Sequence, residues 1–202
     1  VSRRLRLLVG LVLLLPAGCG SRAHPPAAPA MPGSAQQLER LVVTTVPSGL
    51  PRMPDAVLRP PAGAKTARDA AGYAGDPARE QKVLDAYGYR FGWERFWGRG
   101  GSETSVFLDQ FRHAAGARRY ADDLAHNDAA HYRARWHAGS GGLPAGCRLL
   151  TSDDGTLPGP AAFAWCAHGV FAVAVTAVSD SPAHARRDVA AVVRAQLARL
   201  PG

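Results

Sequence analysis

The sequence predicts an α+β domain: an antiparallel sheet of two hairpins plus an extra strand, with helices packed on one face. Three observations lead there. Two stretches carry strand patterning around a glycine turn, Tyr89 to Arg112 and Phe163 to Val178, which marks two hairpins. Each is followed by a segment whose apolar residues change to helical spacing, from His113 and from Ser181. The chain has 202 residues, 47% of them hydrophobic, which is enough for one core and excludes a fully disordered chain.

The elements follow in order. Leu41 to Val46 is rich in β-branched residues and reads as the extra strand. Pro47, Pro51, Pro54, Pro60 and Pro61 then impose an irregular connection. A short helix fits Lys65 to Ala71. Asp76-Pro77 starts a helix, with Asp as N-cap and Pro at the first helical position, and Gly88 ends it after Tyr87. Tyr89, Phe91, Trp93 and Trp97 share one parity, the period of a strand. Gly98 to Gly101 is a turn, and Thr104 to Arg112 returns. Residues 113–126 place Ala114, Ala117, Ala121, Leu124 and Ala125 on one helical face. Gly139 to Pro160 reads as a loop. Phe163 and Trp165 open another strand, His168-Gly169 turns, and the apolar run Val170 to Val178 suits a strand buried on both faces. Ser181-Pro182 starts the last helix, and Pro201 ends it.

The N-terminus reads as an export signal. Arg3, Arg4 and Arg6 precede a nine-residue apolar run, Leu7 to Leu15, and Pro16-Ala17-Gly18-Cys19 follows. The run is far below the ~20 residues a membrane-spanning helix needs. Small residues followed by Cys directly after such a run resemble a bacterial lipobox. The resemblance implies cleavage before Cys19 and attachment of a diacylglycerol and a fatty chain such as palmitate to it. Residues 1–18 are then the lipoprotein signal peptide. Residues 19–40, with Pro25, Pro26, Pro29 and Pro32, form the lipidated Cys and a flexible Pro/Ala tether. Residues 41–202 form a single α+β globular domain. The chain holds 38 Ala and 22 Arg but 2 Lys, 1 Asn and no Ile, which points to a G+C-rich bacterial genome.

The formal net charge is +8, or +5 once residues 1–18 are removed, and the basic residues are scattered, which implies solubility and mild attraction to anionic lipid or wall polymer and not nucleic-acid binding. An exported chain permits disulfides, and with Cys19 lipidated, Cys147 and Cys166 are the pair that remains. A bond closing a loop of that size contributes roughly 3 kcal/mol in the chain-entropy account.

Candidate chemistry is sparse. His113, His126, His131 and His137 lie near Asp122, Asp123 and Asp128, but the five-residue step between His126 and His131 puts them on different helical faces. No His-Glu-x-x-His and no Gly-x-Ser-x-Gly is present, so no catalytic residue, metal site or cofactor is assigned. Gly98 to Gly101 and Gly139 to Gly142 lack the Lys-Ser/Thr of a phosphate cradle, and Asp153-Asp154-Gly155 lacks the later acids of a calcium loop. The densest feature is aromatic: six of the fifteen aromatic residues fall between Tyr87 and Trp97. Their shared parity favours a core face. The alternative is a ligand platform built on Trp93, Phe96 and Trp97, whose large apolar faces suit sugar rings or acyl chains.

The stretch from Gly88 to Trp97, with Phe111-Arg112-His113-Ala114-Ala115-Gly116-Ala117-Arg118 after it and the Gly169-Val170-Phe171 turn later, resembles a pattern of actinobacterial cell-envelope lipoproteins of unknown function. The resemblance implies a PsbP/Mog1-like head on the extracytoplasmic face of the cell membrane. It brings no functional residues. The expected function is a membrane-anchored, non-catalytic module held by its N-terminal lipid and binding an envelope lipid, glycan or protein. The alternative is an envelope hydrolase using His113 or His131 with a neighbouring Asp.

Overall fold

A computed structural model describes residues 30–138 and 142–202. Cys19 and the predicted signal peptide lie outside the described residues, as do Gly139, Ser140 and Gly141. No helix among the described residues is long and apolar enough to cross a membrane.

The architecture is α+β, with one antiparallel sheet, as predicted. Its seven strands are β1 (Gly63–Lys65), β2 (Tyr89–Arg99), β3 (Ser102–Phe111), β4 (Arg135–Trp136), β5 (Cys147–Ser152), β6 (Ala161–His168) and β7 (Phe171–Val178), in the order β1-β2-β3-β7-β6-β5-β4. Among the described residues five α-helices join them: α1 (Ala35–Glu39), α2 (Ala67–Ala71), α3 (Pro77–Tyr87), α4 (Ala114–His131) and α5 (Pro182–Leu197).

Both predicted hairpins are present. Gly100 and Gly101 have φ of 57° and 87° between the paired Arg99 and Ser102, the turn whose twist matches paired strands. The two hairpins pair through β3 and β7, from Glu103 opposite Val178 to Gln110 opposite Phe171. The predicted helix caps also hold. Asp76 accepts the Arg79 amide, Gly88 closes α3 at φ 76°, and Ser181 accepts the His184 amide. Thr66 and Asp69 cap α2 reciprocally. Helix α4 runs to His131, past the predicted end at 126.

Helices cover both faces of the sheet, where one face was expected. Over the first face lie α1, α5 and residues 41–46. They bury Leu38, Val42, Val189, Val192 and Val193 against Trp93, Trp97, Val106, Leu108, Val173 and Val175. Over the second lie α2, α3 and α4, with Leu84, Ala117 and Tyr120 against Tyr89, Phe111 and Ala172, and Ala125 against Phe163 and Val178. The cause is β7: alternate residues Val173 and Val175, then Ala172 and Val178, are all buried, so neither face tolerates water.

Two expected elements differ. Leu41 to Val46 is not a strand. Its valines are buried as in a strand, but its backbone is held by side chains. The Val43 amide donates to Gln196 Oε1 at 3.0 Å, Gln196 Nε2 donates to the Leu41 carbonyl at 3.0 Å, and Arg95 Nη1 donates to the Val43 carbonyl at 2.8 Å. With those groups satisfied the segment needs no ladder. The extra strands are instead β1, β4 and β5, the last lying inside the predicted loop; its Cys147-Leu149 and Leu150-Ser152 pairs face opposite sides, a pattern masked by flanking Gly and Pro. The folded body also starts before residue 41, because Leu38 is fully buried and α1 begins at Ala35.

Cys147 and Cys166 are disulfide-bonded, directly opposite each other on β5 and β6. The bond therefore joins two strands.

Gln196 is the sharpest test of the side-chain clamp. Gln196→Leu keeps the volume but strands the buried Val43 amide. It should cost about 1–3 kcal/mol, the penalty for one unpaired buried group, read as a lower urea midpoint.

Candidate ligand site on the second face

The second face carries a polar cluster that strand periodicity alone does not announce. Beyond a bulge between Tyr89 and Phe91, β2 turns Glu94 and Phe96 to this face and Trp93, Arg95 and Trp97 to the other. The same bulge brings the Tyr89 side chain over, so that its hydroxyl donates to Asp109 Oδ1 at 2.8 Å. Gly92 lies opposite Asp109 in the register. A Cβ at Gly92 would collide with Asp109 Oδ1 and lie 2.5 Å from the Tyr89 hydroxyl. A glycine inside this strand is therefore the space in which the pair sits.

Beside them Glu94, almost wholly buried, accepts from Lys65 Nζ at 3.0 Å and from the Tyr73 hydroxyl at 2.9 Å. The capped helix α2 and its trailing turn place Tyr73 there. Its ring also packs edge-on against Phe107, which meets Phe96 in the same way.

Burial dominates the charge states. It pushes the Asp109 carboxyl up to about 7, against the lowering effect of the Tyr89 hydrogen bond. Glu94 is raised by burial too, with Lys65 opposing. On α4, burial takes Asp128 up to about 6 although Trp165 Nε1 donates to it at 2.8 Å.

A groove of about 430 Å³ opens between α3 and α4, two of the helices that cover this face. The helices are pinched together at Gly116, where a Cβ would collide with the Tyr87 carbonyl, and part over Asp76, Glu80, Tyr120, Asp123 and Asn127. Asp76 is occupied by its N-cap bond, and Asp123 accepts from the Tyr87 hydroxyl at 2.6 Å. Glu80 is half-buried and has no side-chain partner among the described residues; burial and then the Asp123 charge raise it. Tyr120 is 6% exposed, and its hydroxyl makes no hydrogen bond among the described residues.

The expected aromatic platform does not assemble. Trp97 is 1% exposed, and it and Trp93 are sealed beneath the first-face cover. Phe96 is on the opposite face, packed on Phe107. The three side chains share no surface, because adjacent strand residues point to opposite sides. The histidines do not converge either. His113 is exposed at the start of α4 and His131 at its end, about 27 Å apart at 1.5 Å per residue. His126 packs at a tilt against Trp136, and His137 Nε2 meets Thr151 Oγ1 at 2.8 Å. No group of three metal-ligating side chains occurs among the described residues. Sequence reasoning missed Glu80, Asp109 and Tyr120; a mid-strand glycine four residues before Phe96 was the available signal for Asp109.

No protein-family model and no curated protein matches the chain. Among solved structures it is similar to the extracellular domain of PknH from Mycobacterium tuberculosis, with a TM-score of 0.46 and 13% identity, over 82% of this chain and 97% of that one.

The raised carboxyls fix the sign of a pH effect. Between the ordinary aspartate value and about 7, folded Asp109 holds a proton that the unfolded chain has lost, so stability falls as pH rises through that window. Asp128 adds to the slope below about 6. In urea unfolding from pH 5 to 8, Asp109→Asn should flatten the upper part of the decline, near pH 6 to 7. Below about pH 6 the decline should become shallower but persist, because Asp128 still contributes there.

Proposed function

We propose that this chain is a lipid-anchored, non-catalytic binding module of the bacterial cell envelope, tethered through Cys19, with the α3–α4 groove as its ligand site. The observation that carries the reading is the Cys147–Cys166 disulfide, a bond that belongs to oxidising, extracytoplasmic compartments. It agrees with the charged start, short apolar run and Ala17-Gly18-Cys19 of the N-terminus, which resemble an export signal ending in a lipobox. Anchoring takes the thiol of Cys19 as the acceptor of the diacylglycerol. A single acyl chain gives only reversible membrane binding, and the two chains of a diacylglycerol supply stable attachment.

The binding role rests on the groove. It is lined by the hydroxyl of the largely buried Tyr120 and by the half-buried Glu80 carboxylate, neither of which has a side-chain partner among the described residues, so both are free to bind a ligand. The scattered positive charge adds mild attraction to anionic envelope lipid and polymer.

The test is expression in an actinobacterial host with membrane fractionation and intact-mass analysis. Wild type should sediment with membranes and carry added acyl mass at Cys19. Cys19→Ala should shift to the soluble fraction and lose that mass. A Cys19→Ala chain that stays with membranes, with an unmodified wild type, removes the anchor.

A further inference from the structure

We propose that the α3–α4 groove takes a ligand bearing a protonated primary amine, held by the Glu80 carboxylate and the Tyr120 hydroxyl. This rests on the reading of the groove as the ligand site and names the chemistry it selects.

The local charge is the first argument. The chain is +8 overall, yet three carboxylates, those of Asp76, Glu80 and Asp123, line the groove with one guanidinium, that of Arg79. Asp76 and Asp123 already accept from the α3 backbone and from Tyr87. Glu80 has no such partner. Burial disfavours its charge, and a cation at this point would favour it.

The second is the Tyr120 hydroxyl. The ring is buried against Phe111, with centroids 5.2 Å apart, and the side chain lines the groove. A hydroxyl so placed is paired in most proteins. Here no described residue pairs with it, and the groove is the side from which a partner can reach it. An ammonium carries three donors and no acceptor, which matches a groove lined by a carboxylate, a phenolic oxygen and the Asn127 amide oxygen. A neutral alcohol could bond to each in turn, but it would add no positive charge beside Glu80 beyond that of Arg79.

The third is that the same face already contains the occupied version. Lys65 Nζ lies 3.0 Å from Glu94, and the Tyr73 hydroxyl lies 2.9 Å from that carboxylate. Carboxylate, phenol and ammonium form a closed set there. In the groove, Glu80 and Tyr120 repeat the carboxylate and the phenol, and the protein supplies no ammonium among the described residues lining it.

The test is an NMR titration of the full-length ¹⁵N-labelled chain in detergent micelles. The probe is 1,5-diaminopentane, and the control is the neutral isostere 1,5-pentanediol. The diamine should give saturable amide shifts at residues 79–83 and 120–127, and the diol should give none. Glu80→Gln should weaken binding about tenfold, the effect of one charge-assisted hydrogen bond. Tyr120→Phe, which keeps the ring packing, should weaken it severalfold. Affinity should rise with pH as Glu80, raised by burial and by the Asp123 charge, ionises in a groove also lined by Asp76, Arg79 and His126. Equal shifts with the diol, or an unchanged affinity in Glu80→Gln, overturn the ammonium assignment and leave the groove a binding site of another chemistry. A silent diamine titration also overturns it. If envelope extract, in a parallel sample, leaves the groove amides unmoved as well, the reading of the groove as a ligand site falls with it.

Discussion

The pairing of β3 with β7 is the constraint on which the structure depends. Each hairpin alone is two strands with apolar surface that must be covered, and isolated hairpins are marginal in water. Joined through eight paired positions, Glu103–Val178 to Gln110–Phe171, they become the centre of a sheet with strands on either side. Side chains of β7 are then buried on both faces, so helices are required above and below. The chain order satisfies this simply: the helix after the first hairpin covers the second face, and the helix after the second hairpin covers the first.

That arrangement leaves the edge beyond β2 to be finished. On the first face the chain uses residues 32–50, fastened by long polar side chains from β2, β3 and α5. Arg95 bonds the carbonyls of Val42 and Val43 and also Glu39, Gln196 grips Leu41 and Val43, and Gln110 Nε2 bonds the Pro32 carbonyl at 3.1 Å. Each such group had to be desolvated to make its bond, so removing one side costs more than the pair contributes net. This explains why apolar valines at 42, 43 and 46 sit in a core without belonging to a sheet.

What could be read from the residues follows the range of the interaction that decides each feature. Asp76, Gly88, Ser181 and the glycines at 100 and 101 act within a few positions, and they placed helix ends and a turn correctly. The alternation of β2 and the apolar run of β7 are local patterns and placed both hairpins. Residues 41–46 were misread because their backbone partners lie over fifty positions away, in Arg95 and Gln196. The coverage of both faces was legible in β7 alone, and the expectation of one covered face was at odds with it. The aromatic cluster divides between faces because Phe96 and Trp97 are neighbours in a strand. The Asp109 pair depends on a bulge, and the groove on how two helices diverge; neither leaves a periodic trace.

The two faces divide the charge. Guanidinium and amide groups tie down the first-face cover, while Glu80, Glu94, Asp109, Asp123 and Asp128 gather on the second, where Lys65 is the buried cation paired with one of them. A low-dielectric site crowded with carboxyls has two ways to lower its energy: hold protons or acquire cations. Asp109 and Asp128 take the first, which is why burial lifts them to about 7 and about 6. Glu94 takes the second through Lys65. Glu80 lines the open groove, near enough to Asp123 to feel its charge, and can be reached from outside. It is the member of the set whose compensation can come and go. A cation bound at Glu80 would therefore be coupled to pH through the same electrostatic balance.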